Sequence, residues 1–172
     1  YEHAEALSLL DRAVALEVTT DRRLSRARVL LLLGRYDDAQ ADVDDALARG
    51  AGAAGLEVAA LVAYHERDLE AALDLADEAA RASTDAELAA GCWCLAGRTL
   101  LTLGRLDEAL DRLSEAADLA TGPMRAMAAV WRATTLSLRD GGTEAYRLAR
   151  GATASGRRRC ACPAAPGSPA AR

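Results

Sequence analysis

Apolar residues recur three and four positions apart along most of the first 152 residues, and this spacing places them on one face of an α-helix. Polar residues occupy the opposite faces, and Gly-, Pro- or Asp-containing stretches separate one amphipathic segment from the next. The pattern predicts an all-α chain of about nine helices at 1–17, 21–33, 37–49, 56–67, 69–82, 85–103, 107–120 and 124–139, with a last helix through about 150.

The same short pattern returns five times. Its clearest copies are LGRYDDA at 33–39 and LGRLDEA at 103–109. One alanine holds the same place in every copy, at intervals of 33, 33, 37 and 36 residues: Ala6, Ala39, Ala72, Ala109 and Ala145. A period near 34 residues with a Gly-containing turn indicates an array of helix–turn–helix units.

Local signals mark where these helices begin and end. Gly34 lies where a left-handed C-cap is needed, whereas the turn at 67–68 has no glycine. The stretch 50–55 is predicted to be a Gly/Ala loop. Thr84 and Glu87 are predicted to form a capping box, with Thr84 as N-cap and Glu87 bonding back to it.

The repeat resembles the tetratricopeptide repeat (TPR) over about residues 1–152. The copy at 90–123 carries the family's positions at Trp93, Ala96, Gly97, Leu100, Gly104, Leu106, Ala109, Leu113, Ala116 and Pro123. The copy at 20–53 carries them at Ala27, Leu30, Gly34, Tyr36, Ala39, Val43 and Ala46. The resemblance implies a right-handed α-solenoid in which the first helix of each pair lines a concave groove.

Transferring that register residue by residue predicts the positions that line the groove. They are Leu24, Arg28 and Leu31, then Glu57, Leu61 and Tyr64, then Cys94, Arg98 and Leu101, and finally Val130 and Thr134. The mixture of Arg, Tyr and apolar residues suits a peptide or a helix of a partner protein. The alternative is that some of these side chains are simply solvated or packed between repeats.

Turns of this type also resemble the repeat region of bacterial LuxR/MalT-like ATP-binding transcriptional regulators. Those regulators carry a P-loop ATPase before the repeats and a DNA-binding helix-turn-helix after them. This chain has no Gly-x4-Gly-Lys-Ser/Thr loop and no terminal helix-turn-helix, so the resemblance implies that it is a sensor or scaffold fragment of such a regulator. The alternative function is a helical accessory domain of an enzyme whose catalytic domain is absent from this fragment.

Composition narrows the possible partners. The net charge is −5 and all 21 basic residues are arginine, so direct binding of a nucleic-acid backbone is not expected. Aromatic residues make up only 3% of the chain, and closely packed Ala and Leu helices are expected instead of a sheet. No apolar run approaches the roughly 20 residues that span a bilayer. A soluble, cytoplasmic protein of unknown oligomeric state is therefore expected.

The sequence predicts no catalytic residues, no metal site and no cofactor. His65 is expected at the surface or as a helix cap. Cys92 and Cys94 point about 200° apart on a helix and so cannot easily share a metal, which favours a role as small buried side chains. The acidic residues around Asp42 and Asp77 are expected on solvated helical faces, with i,i+4 pairing.

The two ends of the chain differ from the repeats. Segment 2–16 matches the second helix of a repeat without its first, so the repeat domain is expected to be truncated at its N-terminus. Residues 153–172 contain three of the four prolines and no Leu, Ile or Val, which predicts a disordered tail. Such Ala/Arg/Pro/Gly sequence is also what out-of-frame translation of a GC-rich gene produces.

Overall fold

The computed structural model describes residues 2–141, which form eight α-helices. They are α1 (Glu2–Leu16), α2 (Thr20–Leu32), α3 (Tyr36–Ala48), α4 (Gly52–Glu66), α5 (Leu69–Ala82), α6 (Ala86–Thr102), α7 (Leu106–Leu119) and α8 (Gly122–Asp140). The predicted ninth helix, near 143–150, and the predicted disordered tail, 153–172, lie outside the described residues.

The helices pack as antiparallel pairs, α2 with α3, α4 with α5, and α6 with α7. The first helices α2, α4, α6 and α8 also contact one another in sequence along the stack. Within residues 2–141 the backbones of the second helices α1, α3, α5 and α7 do not approach each other in this way, and α5 and α7 meet only through side chains, at Asp77 and Arg112. The first helices are thus the more closely spaced layer and form the inner face of the curved stack.

Small residues at the crossings allow the paired helices to approach each other. Ala39, Ala72 and Ala109, the repeat alanines, are completely buried. At Gly97 a Cβ atom would lie 2.5 Å from Leu113 Cγ and 3.3 Å from the carbonyl oxygen of Ala109. The α6–α7 crossing therefore requires a residue without a side chain at this position.

The turns follow the predicted left-handed geometry. Gly34 and Gly104 have φ of +72° and +79°, and each precedes an arginine whose N–H donates to a carbonyl of the helix just ended. In the copy that lacks glycine, Arg67 takes this conformation with φ +70°. An L-residue pays a steric cost there, so this turn is the strained member of the set.

Two predicted helix starts need correction. Helix α4 begins at Gly52, inside the expected 50–55 loop, because Ala53 and Ala54 favour helix and Gly55 lets the chain pass Leu47, whose Cδ2 would lie 2.6 Å from an added Cβ. The N-cap of α6 is Asp85 and not Thr84, since its carboxylate accepts from the N–H groups of residues 87 and 88.

Glu87 therefore does not complete a capping box. Its Oε2 accepts hydrogen bonds from the backbone N–H and the hydroxyl of Thr121, at 3.0 and 3.1 Å. These bonds attach the start of α6 to the connection between α7 and α8. A surface carboxylate that was expected to act within its own helix thus links two repeats.

The expectation of solvated acidic faces is wrong at two positions. Asp42 is 1% exposed and accepts hydrogen bonds of 2.6 Å from both Arg23 and Arg26 of α2. Asp77 is 9% exposed and accepts from Arg112 of α7 as well as from Arg81, its expected i,i+4 partner. Buried carboxylates need such partners because desolvation of an unpaired charge is costly.

Candidate binding groove

Four residues on the inner face occupy one register position of the repeat. Arg28, Leu61, Arg98 and Thr134 each precede the repeat alanine by eleven residues. They belong to the successive inner helices α2, α4, α6 and α8, which contact one another along the stack. The predicted groove residues therefore come from neighbouring helices of one layer.

Three of the predicted groove residues belong to the core. Leu24, Leu31 and Cys94 are 3%, 7% and 3% exposed, because the adjacent helices cover this side of the inner helices. Their side chains are not accessible to a partner in this structure. The others keep accessible surface: Glu57, Leu61, Tyr64, Arg98 and Leu101 are half-buried, and Arg28, Val130 and Thr134 are exposed.

At the N-terminal end of this face, a positive charge is neutralised within the chain. Arg28 Nη2 of α2 lies 2.5 Å from Glu57 Oε2 of α4. The arginine side chain is 43% exposed and that of the glutamate 19%. This pair links two repeats and leaves little net charge at that end.

Arg98 lies in a different environment. Its guanidinium carbon is 5.1 Å from the ring centroid of Tyr64 on α4 and 5.0 Å from that of Trp131 on α8. Two aromatic rings thus stabilise the cation through their quadrupoles. Its Nε is buried without a hydrogen-bond acceptor, and no carboxylate of residues 2–141 lies within ion-pair distance.

Trp131 was not among the predicted groove residues. It aligns with Val58 and Leu95 of the preceding repeats, both buried positions that face the neighbouring repeat. An aromatic residue at an inter-repeat position beside the groove was the signal that could have identified it. The ring is half-buried, and it brings α8 into the environment of Arg98.

The second tryptophan has a structural environment. Trp93 is 8% exposed, and the guanidinium carbons of Arg112 and Arg81 lie 4.9 and 5.9 Å from its ring centroid. Asp77 accepts hydrogen bonds from the same two arginines. This cluster fastens α6 to α5 and α7.

The two cysteines of α6 lie in the core. Cys92 and Cys94 are buried free thiols, as expected. Burial raises the pKa of Cys92 to about 12, and it also raises the pKa of Cys94 against the opposing charge of Arg98. Thiolate formation at neutral pH is thereby disfavoured. Across residues 2–141, His, Cys, Asp and Glu side chains form no group of three that could hold a metal ion.

His65 lies at the surface, as the sequence predicted. Its ring stacks on Tyr36 with centroids 5.8 Å apart and meets Tyr64 edge-on at 5.9 Å. The histidine therefore packs α4 against the start of α3. None of the helices in the described part combines the length and the apolar character needed to cross a bilayer.

No family model and no curated protein matches the chain. Solved structures do. MamA has a TM-score of 0.69 at 14% identity, covering 91% of this chain and 90% of its own. Cut9, in the APC/C complex Cut9–Hcn1, has a TM-score of 0.70 at 19% sequence identity, and the match covers 88% of this chain and 33% of Cut9. YrrB has a TM-score of 0.61 at 19% identity, and the match covers 89% of this chain and 77% of YrrB.

All three neighbours are TPR-repeat proteins. At identities this low, structural similarity shows the fold alone. The fold of this chain is that of a TPR α-solenoid. YrrB is described as a TPR protein with an unusual peptide-binding site. The all-α repeat architecture expected from the sequence is confirmed.

Proposed function

We propose that this chain is a protein-interaction module that binds a polypeptide segment along its inner face. The observation that supports this most directly is the combination of accessible side chains there: Leu61, Tyr64 and Leu101 beside the stacked cation of Arg98. Aromatic and arginine side chains surrounded by apolar area are the groups that dominate peptide and protein recognition.

The structural neighbours agree with this proposal at the level of the fold. Arrays of this kind present an extended concave surface, which suits a peptide or a helix better than a small molecule. A peptide-binding site is part of the description of YrrB, and the same use of the fold is proposed here.

An array of short immobilised peptides of random sequence, probed with the labelled 172-residue chain, tests the proposal. The comparison is between Leu61→Ala on the inner helix α4 and Leu119→Ala on the outer helix α7, where Leu119 is 43% exposed. We expect peptides that bind the wild type to bind Leu61→Ala several-fold more weakly and Leu119→Ala unchanged. Absence of binding by the wild type, or equal loss in both variants, would overturn the proposal. Circular dichroism establishes that both variants are folded.

The finer proposal is a sensor or scaffold portion of a bacterial cytoplasmic transcriptional regulator. It is supported only by the LGRYDDA and LGRLDEA turns and stays a prediction, as does the cytoplasmic location. Sequencing the gene on both sides tests it. A P-loop ATPase upstream and a DNA-binding helix-turn-helix downstream would support the regulator, and another catalytic domain would contradict it.

A further inference from the structure

Resting on the proposed function, the structure also indicates which chemistry the bound segment carries. We propose that the groove takes an acidic segment of a partner protein, in which an aspartate or glutamate side chain pairs with Arg98 and apolar residues flank it. Three features of the described residues support this: the ring-stacked cation, the alignment of the two groove arginines, and the apolar surroundings.

The stacking leaves the terminal N–H groups of Arg98 without an acceptor among residues 2–141. Tyr64 and Trp131 contact the guanidinium within cation–π distance, but the π faces do not replace in-plane acceptors for its N–H groups. Nε is buried without an acceptor in the described part of the chain. The terminal nitrogens are not buried, so a carboxylate of a bound segment can accept hydrogen bonds from them, and such charge-assisted bonds are stronger than neutral ones.

The repeat itself shows which carboxylate is missing. Arg28 and Arg98 occupy the same register position, and Arg28 pairs with Glu57 of the following repeat. Glu57 precedes its repeat alanine, Ala72, by fifteen residues, and the residue at that position in the repeat after Arg98 is Val130. The chain therefore supplies a carboxylate, that of Glu57, for Arg28. At the position equivalent to Glu57 beside Arg98 it has the apolar side chain of Val130, which is 50% exposed.

This difference is notable in a chain of net charge −5, where carboxylates are abundant. Arg23, Arg26 and Arg112 all pair with carboxylates of neighbouring helices. At Arg98 the adjacent accessible positions are apolar, with Leu61, Leu101 and Val130 available to flanking residues of a ligand. Their burial by a bound segment would exclude water and strengthen the arginine–carboxylate pair.

The test compares two fluorescein-labelled pools of short peptides with random uncharged flanks, identical except for a central Glu or Gln. Fluorescence anisotropy with the full chain at low salt measures the affinity of each pool. The wild type should bind the Glu pool about 10-fold more tightly than the Gln pool, because a hydrogen bond to a charged group contributes about that much to affinity. Arg98→Gln should remove the preference, whereas the matched control Arg28→Gln should retain it.

A second variant tests the same inference without removing the arginine. Val130→Glu places a carboxylate where Glu57 stands opposite Arg28, so it should pair with Arg98 internally and abolish the preference for the Glu pool. If Arg98→Gln fails to fold by circular dichroism, Val130→Glu decides the question. The inference also predicts that Arg98→Lys retains only part of the preference, because lysine lacks the planar fork.

The outcomes separate the inference from the function on which it rests. Equal binding of both pools by the wild type, or a preference that survives in folded Arg98→Gln or Val130→Glu, overturns the acidic segment and leaves a peptide-binding module. Binding of neither pool overturns both.

Discussion

Arg28 and Arg98 are arginines at the same register position of two repeats, yet different groups stabilise their charges. Arg28 meets the carboxylate of Glu57, whereas Arg98 lies between the rings of Tyr64 and Trp131. The repeat determines where each arginine lies, and the residues of neighbouring repeats determine what it contacts. Equivalent positions in a degenerate array therefore need not have equivalent roles.

The contrast extends to the two halves of the array. Near its N-terminus Arg23 and Arg26 converge on the buried Asp42, and the surrounding core is aliphatic apart from Tyr36. Further along, both Trp93 and Trp131 carry stacked arginines. The first half thus holds its buried ion pair in an aliphatic surrounding, whereas the second half combines the Asp77–Arg112 pair with aromatic packing.

The largest expected effect comes from removing the aromatic residue of the second half. Trp93→Ala should lower the free energy of unfolding by about 3–5 kcal/mol, because it leaves a cavity and removes the surface on which Arg81 and Arg112 stack. Denaturant melts followed by circular dichroism measure this loss. Leu119→Ala, at a 43% exposed position, is the control and should cost less than about 0.5 kcal/mol.

Asp42→Ala is the corresponding change in the first half. It leaves two arginines, each 22% exposed, without their shared carboxylate, and should cost about 3 kcal/mol. The more exposed Asp45, which pairs with Arg23 and Arg49, is the control, and its replacement by Ala should cost much less because solvent screens its ion pairs. Equal losses for the two aspartates in denaturant melts would contradict the distinction between buried and surface pairs.

Gly97→Ala introduces the residue that earlier repeats carry at this register position, where Ala27 and Ala60 are equivalent to Gly97. The new methyl group would collide with Leu113 and should destabilise the fold by about 1–3 kcal/mol. Gly91 lies on the same helix, where the nearest atom to an added Cβ is Met124 Cε at 3.7 Å. Gly91→Ala should therefore stabilise by about 0.5–1 kcal/mol, and opposite shifts in Tm would show the difference.

The smallest effects compare the two groove arginines directly. Arg28→Ala and Arg98→Ala should each cost about 1 kcal/mol or less. Only the cost of Arg28→Ala should shrink between low salt and 1 M salt, where the Debye length is about 3 Å, because salt screens an exposed ion pair more than a ring-stacked, half-buried cation. Melts of both variants at the two salt concentrations measure this. An identical salt dependence would remove the distinction between them.

The sequence was sufficient for the layout but not for the environments. The repeat alanines identified the shared register of Arg28 and Arg98, because a turn and a close crossing constrain residue size at fixed intervals. The burial of Asp42 and Asp77 was missed, since helical periodicity assigns a carboxylate to the polar face. Only the arginines of neighbouring helices make burial of these carboxylates tolerable.

The hydrophobic pattern also could not predict which residues of the inner helices belong to the core and which line the groove. Leu24 and Leu31 lie one turn on either side of Arg28, and they turn into the core while the arginine stays exposed. The distinction depends on how closely the next pair of helices approaches. That distance is set by residues about one repeat away, so no local window contains it.

The position of Arg98 has a consequence for the way the array unfolds. When each unit of a linear array is held only by its immediate neighbours, the units at its ends can melt one after another. Arg98 contacts rings on α4 and α8, two helices whose backbones do not approach each other within residues 2–141. A single side chain therefore connects next-nearest neighbours, and loss of order in the last described helix is felt two repeats away.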